Sequence, residues 1–192
     1  MQVAVPSWLE PMLADPPVLA RRTDRMRLAI ALARENVDRG TGGPFGALVA
    51  QTTTGRVVAA GVNVVVASHN STAHAEMVAL QLAEARVGAF DLGTAAEGPY
   101  ELVSSVEPCV MCLGAVLWSG VSTLICAARD EDAHAIGFDE GPKPSHWVDA
   151  VGSRGIAVVL DLLRQESVAV LEEYRARGGP IYNASHAVLT TR

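Results

Sequence analysis

Two short segments constrain this chain more than anything else in it: His74-Ala75-Glu76 and, 35 positions after the histidine, Pro108-Cys109-Val110-Met111-Cys112. One imidazole and two thiols are the donor types that bind zinc, so any fold must bring these distant segments to one point. A structural zinc takes four protein ligands, whereas a catalytic zinc takes three and keeps a position for water. His74, Cys109 and Cys112 make three. The nearby candidate for a fourth, His69, falls in a segment that reads as a loop. Glu76 lies two residues from His74, so in a regular helix it does not share the ligand direction. Near a helix start its carboxylate can still reach water on the metal, and its expected role is to carry protons. Zinc in such a shell lowers the pKa of its water toward neutrality.

The surrounding pattern places each segment at a strand-to-helix junction. Val18 to Arg39 has apolar residues at helical spacing (Met26, Ala29, Ile30, Ala33), and Gly40-Thr41-Gly42-Gly43-Pro44 stops it. Residues 47–51 and 57–66 read as strands about a turn at Thr53-Thr54-Gly55, and residues 73–87 as a helix opened by His74. A strand over 100–105 runs into Glu107-Pro108, and residues 109–118 form the next helix. A strand over 121–127, a helix over 130–137, a loop to Pro144, a strand over 156–160 and a helix over 163–177 follow. Strands alternating with helices predict a three-layer α/β/α domain on a mixed, roughly five-stranded sheet. Residues 1–17, with Pro6, Pro11, Pro16 and Pro17, read as an irregular arm before one domain over 18–192. At the helix starts, backbone N–H groups favour thiolate, and Cys109 and Cys112 lie one turn apart. Backbone groups around Ser104, Ser105 and Ala75 are candidates to contact a bound ring.

Composition narrows the partners. The net charge is −6, and the densest basic stretch (Arg21, Arg22, Arg25, Arg27) reads as a solvated helix face. Nucleic-acid binders draw much of their affinity from basic patches, so a small-molecule substrate is expected, not nucleic acid. No apolar run approaches the ~20 residues that span a bilayer, and the N-terminus has no secretory pattern. Two of the three cysteines are in the motif, so a reducing, cytoplasmic setting is expected. Cys126 reads as a buried thiol, and His134, His146 and His186 as surface or pocket-rim histidines.

The chain resembles the cytidine-deaminase-like superfamily, and more closely its guanine deaminase branch. The resemblance rests on Gly42-Gly43-Pro44-Phe45-Gly46-Ala47, on Thr72 to Glu76 with Asn63 before them, on Glu107 to Ala115 ending in Trp118, and on Gly137-Phe138-Asp139-Glu140. It implies a Zn2+-dependent aminohydrolase acting on a nucleobase, guanine foremost, with an amino-triazine such as ammeline or a cytosine-like ring as alternatives. It implies that Asn63 and Glu140 read the purine edge and that Phe45 and Trp118 wall the flat base. A homodimer is also implied, with Tyr182 as a lid on a C-terminal tail that some members exchange between subunits. Three departures stand out. Glu140 replaces the common aspartate, Ser68-His69-Asn70-Ser71 lacks the frequent Asp-Pro, and the N-terminal arm is long. A tRNA adenosine deaminase shares the zinc motifs, but the final helix here carries Glu166, Glu172 and Glu173. A noncatalytic zinc module would make Glu76 dispensable.

Overall fold

In a computed structural model, which describes residues 4–183, five strands form one sheet in the order β2-β1-β3-β4-β5. These are β1 (Gly46–Gln51), β2 (Val57–Val62), β3 (Tyr100–Val106), β4 (Thr123–Ala128) and β5 (Ala157–Val159). Strand β1 is antiparallel to both β2 and β3, and β3, β4 and β5 run parallel. The mixed five-stranded sheet is the one expected from the sequence. The helices are α1 (Glu10–Ala14), α2 (Arg22–Asp38), α3 (Val65–Ser68), α4 (Ala75–Val87), α5 (Val110–Ser119), α6 (Asp130–Ile136), α7 (Trp147–Gly152) and α8 (Arg164–Ala176).

The period-two alternation of strand side chains divides the core in two. Ala47, Val49, Leu102, Leu124 and Cys126 face the layer of α4, α5 and α7, while Leu48, Ala50, Val103, Ile125 and Ala127 face α2 and α8. Covered on both faces, β1, β3 and β4 read as continuous apolar runs. Small residues bring α4 down onto the sheet: a Cβ on Gly61 would lie 2.4 Å from the Ala75 carbonyl oxygen. That close approach fixes the start of α4, where His74 and Glu76 reside.

Three readings are corrected. The strand expected over 57–66 ends at Val62, and Val65–Ser68 coil into α3. The Asn63 side-chain oxygen accepts the Val65 N–H at 3.3 Å, a local turn bond that competes with extending the ladder. Helix α7 was not anticipated. Within the arm, α1 forms one turn and Leu9 is fully buried in the core that holds Met26.

The strand directions decide where a site can form. Strands β2, β3 and β4 all end at the same edge of the sheet, beside the start of β1. Phe45, Asn63 and Glu107 therefore meet there, at the carboxyl ends of strands where open α/β sheets hold ligands.

Candidate active site

His74 and Cys109 are the N-cap residues of α4 and α5, both with extended backbone, and Cys112 sits one turn into α5. Their donor atoms lie within 4.8 Å of one another, and Cys109 Sγ stands 3.6 Å from His74 Nδ1. Bonds of ~2.0 Å to nitrogen and ~2.3 Å to sulfur at a tetrahedral angle put such atoms about 3.5 Å apart. The donor set and its spacing thus fit zinc. Among the described residues His69 does not join this group; its backbone is left-handed (φ 50°) after α3.

The local charges suit a metal. The Cys109 thiol is held down to about 4, chiefly by the Cys112 thiol donating to it and then by His74, with burial opposing. Cys112 is correspondingly pushed well above the usual thiol range. Burial works against a charge on His74, but its contact with Cys109 and the nearby carboxylates raise its pKa. Glu76, 6% exposed, is raised first by burial and then by the charge on Cys109, the direction a proton carrier needs.

His74, Glu76 and Cys109 line a cavity of about 380 Å³, with Cys112 buried beneath it. Its walls include Phe45, Asn63, Glu140 and Tyr182, as expected, together with Val65, Ser71, Phe138 and Asn183. Asn63 is buried, and with its oxygen occupied by Val65 its NH2 is left to donate. Glu140 is raised to about 8, first by burial and then by the charges of Cys109 and Glu76. Its backbone carbonyl accepts from Val110 at 3.0 Å. Its carboxylate has no hydrogen bond to the described residues.

Two expected wall residues are not on it. Trp118 is 79% exposed and does not line the cavity. At ~100° per residue it sits about 240° round α5 from Cys112, so the helix turns it away. Ala75 is fully buried and also absent from the lining. Phe138 takes the wall position, meeting Phe45 at 5.0 Å (73° between rings) and Tyr182 at 5.0 Å (61°). It lies four residues after His134 and two before Glu140, in the sequence segment that ends on that acidic residue.

Two further residues position the walls. Asn36, fully buried on α2, donates to the carbonyls of Gly43 (2.9 Å) and Asn63 (2.8 Å), tying two cavity loops together. Only a polar residue on the buried face of that helix could have signalled it. Asn183 accepts from the Asp139 N–H and donates to the Gly137 carbonyl, both at 2.9 Å. The tail therefore runs against the start of the Glu140 segment as far as Asn183; His186 and the rest of the tail lie outside the described residues. Cys126 is buried as expected, and His134 Nε2 accepts from the Glu140 N–H at 3.4 Å.

Two helix N-termini converging on a three-ligand zinc set, with a buried carboxylate alongside, define a zinc-dependent deaminase. Residues 20–128 match the family described as the cytidine and deoxycytidylate deaminase zinc-binding region, and the chain belongs to that family. Within it the chain falls in the guanine deaminase branch. The guanine deaminase of Bacillus subtilis (strain 168) is 40% identical over 115 residues, 60% of this chain and 69% of that protein. A structure reported for guanine deaminase from Nitrosomonas europaea is 45% identical with a TM-score of 0.89, covering 92% of this chain and 96% of that one. An asparagine variant of NE0047 in complex with 8-azaguanine is 45% identical at a TM-score of 0.89, covering 92% and 97%. Among the described residues no helix is long and apolar enough to cross a membrane.

Proposed function

We propose that this chain hydrolyses guanine to xanthine and ammonia. The observation that carries the proposal is that the Asn63 NH2 and the Glu140 carboxylate, neither with a hydrogen-bond partner among the described residues, line the same cavity as Glu76. Guanine presents O6 and N7 as acceptors and N1–H and the exocyclic N2–H as donors, which suits a donating amide and an accepting carboxylate. Adenine and cytosine present other patterns, and a site built for a hydrogen bond rejects a ring that cannot make it. The variants of NE0047 solved with 8-azaguanine alter an asparagine and a glutamate, the residue types that Asn63 and Glu140 contribute here.

His74, Cys109 and Cys112 would hold zinc, which would supply Lewis acidity toward water beside the amine-bearing carbon. Glu76 would take one proton from the water and give it to the ring nitrogen beside the amine-bearing carbon, then take the second from the new hydroxyl and give it to the amine, which departs as ammonia. Phe45, Phe138 and Tyr182 clamp the base faces and exclude water. Turnover measured on guanine, ammeline, cytosine and adenosine tests the proposal, and no turnover of guanine refutes it.

Proteins named tRNA-specific adenosine deaminase are also relatives, at 29% identity over 151 residues in Agrobacterium fabrum. Charge disfavours that activity here: Arg34 and Arg177 pair with Glu173, Arg129 with Asp161 and Arg164 with Asp132. Pairing of this kind leaves little surface for phosphates. The enzyme acts as a homodimer in a reducing cytoplasm, where free thiols persist. Helix α5 offers the face for a second copy, with Val110 and Trp118 exposed and no charged residue along its length. Trp118→Glu should then yield monomers by sedimentation, and an unchanged mass would rule this face out.

A further inference from the structure

Lysine is among the residues least often buried, yet the Lys143 side chain is only 5% exposed. Its ammonium uses its three donors on Glu107 Oε2 (3.2 Å), the Pro108 carbonyl (3.1 Å) and Asp130 Oδ1 (2.5 Å). It also lies 4.7 Å from the centre of the Trp147 ring. Lys143 does not line the cavity, so it does not touch substrate.

Its partners explain what it is for. Lys143 belongs to the segment between α6 and α7, which carries Glu140 into the cavity and has no regular structure of its own. Glu107 and Pro108 belong to the turn that presents Cys109. The one backbone bond from α5 to this segment runs from the Val110 N–H to the Glu140 carbonyl. Asn183 and His134 also hold the segment, at Gly137, Asp139 and Glu140, but those bonds do not reach the metal-binding turn, so relative to that turn a single backbone bond leaves the orientation open. Lys143, three residues on, supplies a second attachment to the same turn, and two points fix an orientation where one does not.

We infer that Lys143 is a positioning residue for base recognition, holding the Glu140 carboxylate at a set distance from the metal-binding turn. The inference rests on the proposed reading of Glu140 as the group that accepts from the base. Removing the ammonium releases the segment from Glu107 and Pro108 of the turn and from Asp130 at the start of α6, and leaves the two carboxylates without the cation they share. The metal ligands keep their own helix-start geometry, since none of them bonds to Lys143.

The test uses the zinc-loaded full chain with Lys143→Met, which keeps the stem against Trp147 and removes the charge. The expected result is about one zinc per chain by metal analysis and kcat within about threefold of wild type. KM, and the Kd of 8-azaguanine by calorimetry, should rise at least about tenfold, the usual scale for a lost supporting group. Lys143→Arg keeps the charge and should recover most of the binding. If Lys143→Met does not fold, Lys143→Gln is read in the same way. Zinc loss, or a fall in kcat with KM and Kd unchanged, overturns the inference, as does no change in KM and Kd. Wild-type turnover on the panel of bases tests the underlying reading separately. If another base is the substrate, the comparison is made with that base.

Discussion

Exchanging Glu140 for glutamine separates recognition from stability, because the two should move in opposite directions. The residue is 8% exposed, and burial, with Cys109 and Glu76 behind it, holds its carboxyl at about 8. For activity, a carboxylate that accepts two N–H groups becomes an amide with one acceptor, whose NH2 opposes a donor on the base. Losing a charge-assisted bond and leaving a buried donor unpaired amounts to ~3–4 kcal/mol, or a fall in kcat/KM of about 10²–10³-fold. Since the ionised form must bind, wild-type affinity for guanine should also weaken as pH falls through the raised pKa of this buried carboxyl, by up to about tenfold per unit.

For stability the sign reverses. The folded pKa lies above the ordinary carboxylate value of 4.5, so the folded state holds its proton longer than the unfolded chain does. The stability associated with that proton is fully present below about pH 4.5 and is lost as pH rises through about 8. A shift of ~3.5 units at ~1.36 kcal/mol each sets a ceiling near 5 kcal/mol. Glu140→Gln should therefore be more stable than wild type at pH 9, with the gap shrinking below about 1 kcal/mol at pH 5. Urea denaturation of the metal-free proteins at both pH values reads the stability, and guanine loss by the zinc-loaded proteins followed by ultraviolet absorbance reads the activity. Activity within threefold of wild type, or a variant less stable than wild type at pH 9, would refute the reasoning.

Three other substitutions probe separate parts of the structure. Glu76→Gln should keep about one zinc per chain while turnover drops by about 10²-fold or more, because proton transfer by a positioned carboxylate is worth that much; activity retained with zinc bound would point to a noncatalytic module. A Cβ at Gly43 would lie 2.0 Å from the Tyr182 hydroxyl. Gly43→Ala should displace that ring and raise KM by about fivefold or more with a smaller effect on kcat, since truncated packing removes binding that ground and transition states share. Arg25→Met strips fully buried Glu101 of a partner at 2.5 Å, leaving Arg22 at 3.5 Å. Urea denaturation should show a loss of about 3–5 kcal/mol. Because Glu101 sits at the opposite end of β3 from the cavity, kcat/KM of the folded fraction should be unchanged; an equal loss of activity would mean that the two ends of the sheet are coupled.

What the sequence conveys depends on how far apart the cooperating residues are along the chain. Alternation within one strand sorts Leu48 from Val49 onto opposite faces, and a helix start two residues long is enough to orient His74 and Glu76, so strands, helices and zinc ligands are legible locally. Asn63 ends its strand early through a bond to Val65, still local, yet invisible in an apolar run of valines that suits either a strand or a buried helix. The aromatic wall is a different problem. Trp118 stands on the same helix as Cys112 and reads as a neighbour of the metal, but helical rotation carries it outward, whereas Phe138 reaches Phe45 from 93 positions away. That meeting requires β1 to be inserted antiparallel between β2 and β3, so that its first residue opens beside their ends. Asn36 and Lys143 depend on the same topology: each fastens loops that become neighbours only once the sheet order is fixed. Residues that perform the chemistry can be read from their spacing; residues that hold the performers in place acquire their meaning from the order of the strands.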